Sequence, residues 1–270
     1  MFVCLFVLFF SGAKAASLLF KNPMALASFL GQLASVSALA EFLLNPIFGK
    51  LSDTYGRKPI MPLGHLSLLV CRAIMFVRPH SLWPLILEQI VTVPFITSFF
   101  TTWRASLSDE LQGSDFAQAS AKVGVAAGVG LVCGPLLAKM LMNRYETKWV
   151  YLASCGMAGI ALHQIQTNFQ ETLPMKERKK LNFRDMQPLS FMQVMAKSTT
   201  LFRLMCVTGL QTITEGRNVN NIWGVYMQND LQWNWDQINN FIGALGISLI
   251  ISGVTVKSML QKMGTKNRCF

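Results

Sequence analysis

The chain has 270 residues, of which 52% are hydrophobic and only 14% charged, and its mean hydropathy is +0.39. A soluble domain carries about 25% charged residues, so this composition excludes an ordinary water-soluble protein and points to helices in lipid. The net charge of +11 would suit nucleic acid, but Lys and Arg are gathered between apolar runs, where topology accounts for them; no nucleic-acid partner is expected.

Taken in chain order, the apolar runs predict membrane spans over residues 1–18, 26–48, 60–77, 82–103, 122–142, 149–168, 201–227 and 237–256. In the first, Met1–Phe10 carries no charge, and Lys14 is the earliest charged residue. It reads as the tail of a first helix whose beginning is missing or shortened, and the small residues of Ser11–Ala16 leave a cleaved signal peptide as the alternative.

Polar groups inside a span are costly unless they are paired or face a cavity. The second run holds Gln32, Glu41 and Asn45, the third Arg72, the fourth Glu88 and Gln89, and the seventh Gln211, Glu215, Arg217 and Asn218. Glu88 stands near the lipid boundary, where a rim position with a snorkelling carboxylate competes with a role in the interior. Glu215 and Arg217 are two residues apart and so point to different faces of a helix.

Between the second and third runs lies Gly49-Lys-Leu-Ser-Asp-Thr-Tyr-Gly-Arg-Lys-Pro59, which reads as a short, tight loop at a membrane surface. Gly49 and Gly56 suit close packing and turning where helices meet the loop. Asp53 can pair with Arg57 or accept backbone N–H groups, while Arg57 and Lys58 can anchor the loop at the headgroups. The fifth run carries Gly124, Gly128, Gly130 and Gly134, with Gly124, Gly128 and Ala121 near one face, and Pro135 follows. Small residues at such spacing let helices approach closely, and the proline can kink the span.

Residues 169–200 form a basic connector, with Lys176-Glu-Arg-Lys-Lys180 flanked by Pro174 and Pro188. Gly264-Thr-Lys266 after the last run faintly repeats Gly56-Arg-Lys58 after the second, which suggests two related halves. Most of the 24 Lys and Arg fall on the side of 49–59 and 169–200, which places that side in the cytoplasm. The six cysteines are scattered, and His65, His80 and His163 are far apart. With no phosphate-binding loop, metal-ligand cluster or catalytic triad, neither a cofactor nor an enzyme activity is expected.

Residues Gly49, Leu51, Ser52, Asp53, Gly56, Arg57 and Lys58 resemble the loop between the second and third helices of the major facilitator superfamily, most closely in its drug:proton antiporter, tetracycline-resistance-like branch. Gly130-x-x-x-Gly134-Pro135 is similar to the antiporter motif of that branch's fifth helix. Asp109 following Arg104, and Glu171-Thr-Leu-Pro174, are weaker likenesses. The resemblance implies an all-α, polytopic membrane bundle. Residues 1–168 would be a six-helix first half with a shortened first helix, 169–200 a cytoplasmic linker, and 201–270 the first two helices of a truncated second half.

The implied function is secondary active transport of a small organic solute by alternating access, with protons as a candidate coupling ion and membrane lipids as surroundings. By the same resemblance, Gly49, Asp53, Gly56, Arg57, Lys58 and Asp109 belong to a conformational gate, and Gly130, Gly134 and Pro135 to a bending point. The family's fourth and seventh helices line its cavity, so Glu88, Gln89, Gln211 and Glu215, together with Gln32, are the substrate or proton candidates. The antiporters' fourth-helix arginine and following glycine have no counterpart in Leu87–Thr92, so proton coupling through that arginine is not expected. The alternative is a non-transporting, truncated transporter-like protein acting as a structural or regulatory partner.

Overall fold

The computed structural model describes residues 23–79, 81, 83–178, 198–215 and 226–263. Helix α1, Pro23–Tyr55, stops at Gly56; the short α2, Arg57–Ile60, turns at once into α3, Pro62–Val77. Helix α4, Trp83–Leu87, continues through a π-helical turn, Glu88–Thr92, into α5, Val93–Glu110. Helices α6, Gly113–Arg144, and α7, Thr147–Asn168, follow, then α8, Thr199–Glu215, and α9, Trp235–Met263. No strand occurs among the described residues.

Five stretches among the described residues are long and apolar enough to cross a membrane: Ser28–Tyr55, Arg57–Val77, Trp83–Glu110, Gly113–Arg144 and Asp236–Val256. They match the predicted second, third, fourth, fifth and eighth spans, with several ends carried further. Polar residues that end an apolar run still make good helix when the adjoining turns have partners, which is why α5 reaches Glu110 and α1 reaches Tyr55. The segment read as a loop from Gly49 to Pro59 is therefore mostly helix, broken only at Gly56. Helix α7 coincides with the predicted sixth span, but His163, Gln164 and Gln166 dilute its apolar character. The predicted first span, the polybasic run beyond Arg178, and Gly264-Thr-Lys266 lie outside the described residues.

Helix α3 packs along α7 and α5, and α1 along α5. Leu68, Ile96 and Ala158 form one buried cluster at these contacts, and Leu33, Met75, Leu85 and Tyr151 another. Gly64 of α3 sits against the backbone of Phe95 and Ile96, where an added Cβ would lie 2.8 Å from the Phe95 carbonyl oxygen. The outward faces stay apolar: Leu39, Val70, Trp83, Leu136 and Ile160 are all exposed, as lipid-facing side chains should be.

Helices α6 and α9 form the most extensive pair. Their contact is built from glycine: a Cβ at Gly128 would come 2.6 Å from the Gly246 carbonyl oxygen, and one at Gly246 would come 2.8 Å from that of Gly128. Gly253 likewise faces the Ala121 carbonyl and Val125. Close approach of backbones is how helices associate in lipid, where burial of apolar surface offers little. Met227, Ile238 and Ile242 extend this contact, with Leu131 and Trp233 beside them. At one end, Lys139 Nζ lies 2.6 Å from Asp236 Oδ1, but both side chains are largely exposed, so this bridge contributes little.

The π turn has a local cause. Pro94, in the first turn of α5, has no N–H to donate and its ring would press on the carbonyl four residues back. The helix accommodates this by widening over Glu88–Thr92. In the widened turn the carbonyl that Pro94 leaves without a donor is the one five residues back, that of Gln89, and Ser37 Oγ of α1 donates to it at 2.8 Å.

Candidate functional site

At the Gly56 end of the bundle, the ends of α1, α5 and the segment following α7 converge on one guanidinium. Arg57 is only 7% exposed. Its Nη1 donates to Ser52 Oγ and to Asp53 Oδ1, each at 2.7 Å, and its Nε donates to Asp109 Oδ2 at 3.2 Å. Asp53 stands four residues before Arg57 near the end of α1, and Asp109 is the penultimate residue of α5. A planar fork of donors can hold several acceptors in this way, and a lysine cannot.

Glu171 closes the other half of the clasp. Its Oε1 accepts the Arg57 N–H at 2.8 Å and the Leu173 N–H at 3.1 Å, and its Oε2 accepts the Lys58 N–H at 3.2 Å. The carboxylate thus satisfies donors left open at the start of α2, where the helix dipole also favours negative charge. Arg178 Nη2 lies 3.6 Å from Glu171 Oε2, and Thr172 Oγ1 donates to Asp109 Oδ2 at 3.3 Å. Partial burial alone would raise the Glu171 carboxyl. The N–H groups of Arg57, Leu173 and Lys58 and the charge of Arg178 outweigh it and hold the group below the usual glutamate range.

Gly56 makes this geometry accessible. Its φ of 104° and ψ of 165° fall in a region essentially confined to glycine, and a Cβ there would collide with the Glu171 carboxylate. Gly49 differs from the expectation of tight packing: it lies within α1, and a Cβ would meet nothing within 4 Å. Lys58 takes part through its backbone N–H. An open cleft of about 310 Å³ adjoins the clasp, lined by residues that include Trp103, Glu110, Phe169 and Thr172.

The other candidates are dispersed. Gly130, Gly134 and Pro135 are buried within an uninterrupted α6. Gln32 and Gln211 lie at exposed positions of α1 and α8, and Gln89 is half-buried in the π turn. Glu215 is the last residue of α8, its side chain outside the described part, and Arg217 and Asn218 lie outside the described residues. Glu88 corrects the rim reading: it is 2% exposed, inside the bundle, with Arg72 Nη2 3.0 Å from its Oε1. Arg72, itself 0% exposed, was legible only as an unexplained charge in a span. No group of residues that could hold a metal ion occurs among the described residues.

The sequence profile of the Major Facilitator Superfamily matches residues 1–270. The chain belongs to this superfamily. It is a multi-pass integral membrane protein of a transporter family rather than an enzyme family. It is 25% identical over 243 residues to hippocampus abundant transcript-like protein 1 of Bos taurus, covering 88% of this chain and 47% of that one. To the class C tetracycline resistance protein of Escherichia coli it is 27% identical over 229 residues, covering 85% of this chain and 55% of the relative. The chain thus spans about half the length of the curated relatives it matches. Its fold superposes on the crystal structure of the human organic anion transporter MFSD10 (TETRAN) with a TM-score of 0.70 and 20% identity, over 91% of this chain and 61% of that one.

Two outcomes are expected. Gly56→Ala lowers the stability of the purified protein by about 2 kcal/mol or more, since strain and collision combine, whereas Gly49→Ala is neutral or stabilises by up to about 1 kcal/mol; thermal unfolding in detergent compares them. The Glu171 carboxylate, held below its ordinary value, contributes fully above roughly pH 4.3, and its contribution is lost as pH falls through the depressed value. The stability gap between the parent chain and Glu171→Gln is therefore constant from pH 7 to about 5 and closes in stronger acid.

Proposed function

We propose that the protein is a secondary active transporter of a small organic solute, working by alternating access. Its superfamily membership over the whole chain supports this, as do relatives whose names concern tetracycline resistance and organic anion transport. Within the chain, the contrast between two kinds of contact carries the reading. The Arg57 clasp is largely buried, multiply bonded and ties α1, α5 and the end of α7 to one another. The α6–α9 contact is a smooth seam of glycine backbone with one exposed ion pair across it. A body held rigid by the first can move along the second.

In this reading residues 1–168 act as the first bundle, 169–200 as the linker, and 201–270 as the opening of the second bundle. The clasp faces the cytoplasm, in keeping with the excess of Lys and Arg on its side. Arg57, Asp53 and Asp109 serve as its gate, and Pro135 with Gly130 and Gly134 gives α6 its bending point.

The test is flux in liposomes containing the purified chain, with tetracycline and fluorescein as probes. Lys139→Cys and Asp236→Cys, in a background with the native cysteines replaced by serine, are joined by a short cleavable dithiol-reactive linker. Saturable, protein-dependent uptake of at least one probe should fall at least tenfold on bridging and return on cleavage. Uptake indifferent to the bridge, or no protein-dependent uptake of either probe, contradicts the proposal.

A further inference from the structure

Arg72 and Glu88 present a problem that the clasp does not. Both lie in the packed interior of the membrane bundle, one on α3 and one at the first position of the π turn. Their contact is close in distance, 3.0 Å between Nη2 and Oε1, but poorly directed: neither of these atoms, nor Arg72 Nε, has a hydrogen-bond partner in the protein. The guanidinium is otherwise met by the Met75 sulfur, 3.6 Å from Nη1, and by the face of the Tyr151 ring, 5.7 Å from centre to centre. Well-directed hydrogen bonds are what ordinarily repay the desolvation of a buried pair, and here they are few. The pair is therefore weak support for stability, and an ionisable pair within a span is a functional site by default.

The surroundings link this pair to a deformable piece of backbone. Glu88 opens the π turn that Pro94 imposes, and the far end of that turn is tied to α3, where Thr92 Oγ1 lies 3.1 Å from the Cys71 sulfur and 3.5 Å from the Ser67 carbonyl oxygen. From α1, Ser37 holds the Gln89 carbonyl. The charged and titratable groups facing Glu88 are thus Arg72 and Cys71 of α3, with Tyr151 of α7 under the guanidinium; on α1, Glu41 stands one turn beyond Ser37.

We propose that Glu88, with Arg72 as its counter-charge, is a proton-binding site that operates the π turn of the fourth span. The proposal rests on the transport reading and supplies its coupling ion. A proton from water adds to the Glu88 carboxylate and makes a neutral acid. Arg72 is then no longer stable where it is, because a guanidinium inside the bundle has lost the counter-charge it has among the described residues. Proton binding is thereby tied to a shift of α3 against α4 that carries Arg72 toward water or a new acceptor. The π turn takes up the change in register, since its hydrogen bonding is already irregular. This places the proton site between the third and fourth spans, in a chain whose fourth span lacks the arginine of the antiporters.

The test needs no substrate. In liposomes containing the purified full chain, infrared difference spectra between high and low pH should show the carbonyl stretch of a protonated, desolvated carboxyl, absent from Glu88→Gln. On acidification over the same pH interval Cys71, the sole cysteine retained, should gain at least tenfold in reactivity toward N-ethylmaleimide relative to the fall set by loss of thiolate alone, and Glu88→Gln should remove that excess. The double variant Arg72→Met, Glu88→Leu replaces the pair with apolar side chains that lipid-embedded packing tolerates; it should fold and lack both signals. No protonated-carboxyl band while the protein stays folded, a band unchanged in Glu88→Gln, or Cys71 reactivity that titrates equally in the double variant overturns the proposal. Both signals without any solute flux would leave this site standing and count against the transport reading alone. Flux unaffected by Glu88→Gln at every imposed pH gradient would do the reverse.

Discussion

The structure depends first on one buried guanidinium. Arg57 sits where three helix ends meet and is almost wholly buried, so its charge is answered by Asp53 and Asp109, and the backbone around it by Glu171. Removing an acceptor from such a group costs about 3–5 kcal/mol when the remaining charge stays buried, less here because both aspartates keep some contact with solvent. That requirement fixes the order of the local sequence. Gly56 must be glycine because its backbone angles and its contact with Glu171 leave no room for a side chain, and the chain can then enter α2 with its first N–H groups aimed at a carboxylate.

The rest of the bundle contrasts with this point. Helices α6 and α9 meet through backbone at Gly128, Gly246 and Gly253, a close-packed contact bridged at one end by the exposed Lys139–Asp236 pair. The interior between α3 and the fourth span holds a charge pair with few well-formed hydrogen bonds, on a turn already distorted by Pro94. Rigidity is concentrated at one end, and the means of yielding lie along a helix seam and within a span. The proposed alternating-access movement draws on both.

Much of this was legible in the residues. Apolar runs located five of the membrane-crossing helices, because hydrocarbon thickness sets a minimum length, but their ends lie up to nine residues from the predicted ones, as at the start of Gly113–Arg144. The grouping of Asp53, Arg57 and Asp109 followed from the likeness of the loop to its family, and the structure brings the three within hydrogen-bonding distance. Glu171 was noted only as part of the end of the sixth span; its partnership with Arg57 spans 114 residues and depends on how α7 returns to the same end. The Arg72–Glu88 pair carried a signal that went unread: Arg72 stands five residues before Val77, the end of α3, and Glu88 five after Trp83, the start of α4, so an antiparallel hairpin sets them at one depth. The π turn could be suspected from Pro94, but the glycine seam could not, since small residues mark a contact without naming the helix across it.

The most direct test of the clasp is hydrogen–deuterium exchange on the parent chain and Arg57→Ala in the same liposomes. If Arg57 is the common point of attachment, the variant gains exchange together in three segments, 52–61, 105–111 and 169–174, while the α6–α9 seam is unchanged. If exchange rises only in 52–61, the three helix ends are held by something other than Arg57, and the account of a single buried charge organising this end of the bundle is wrong.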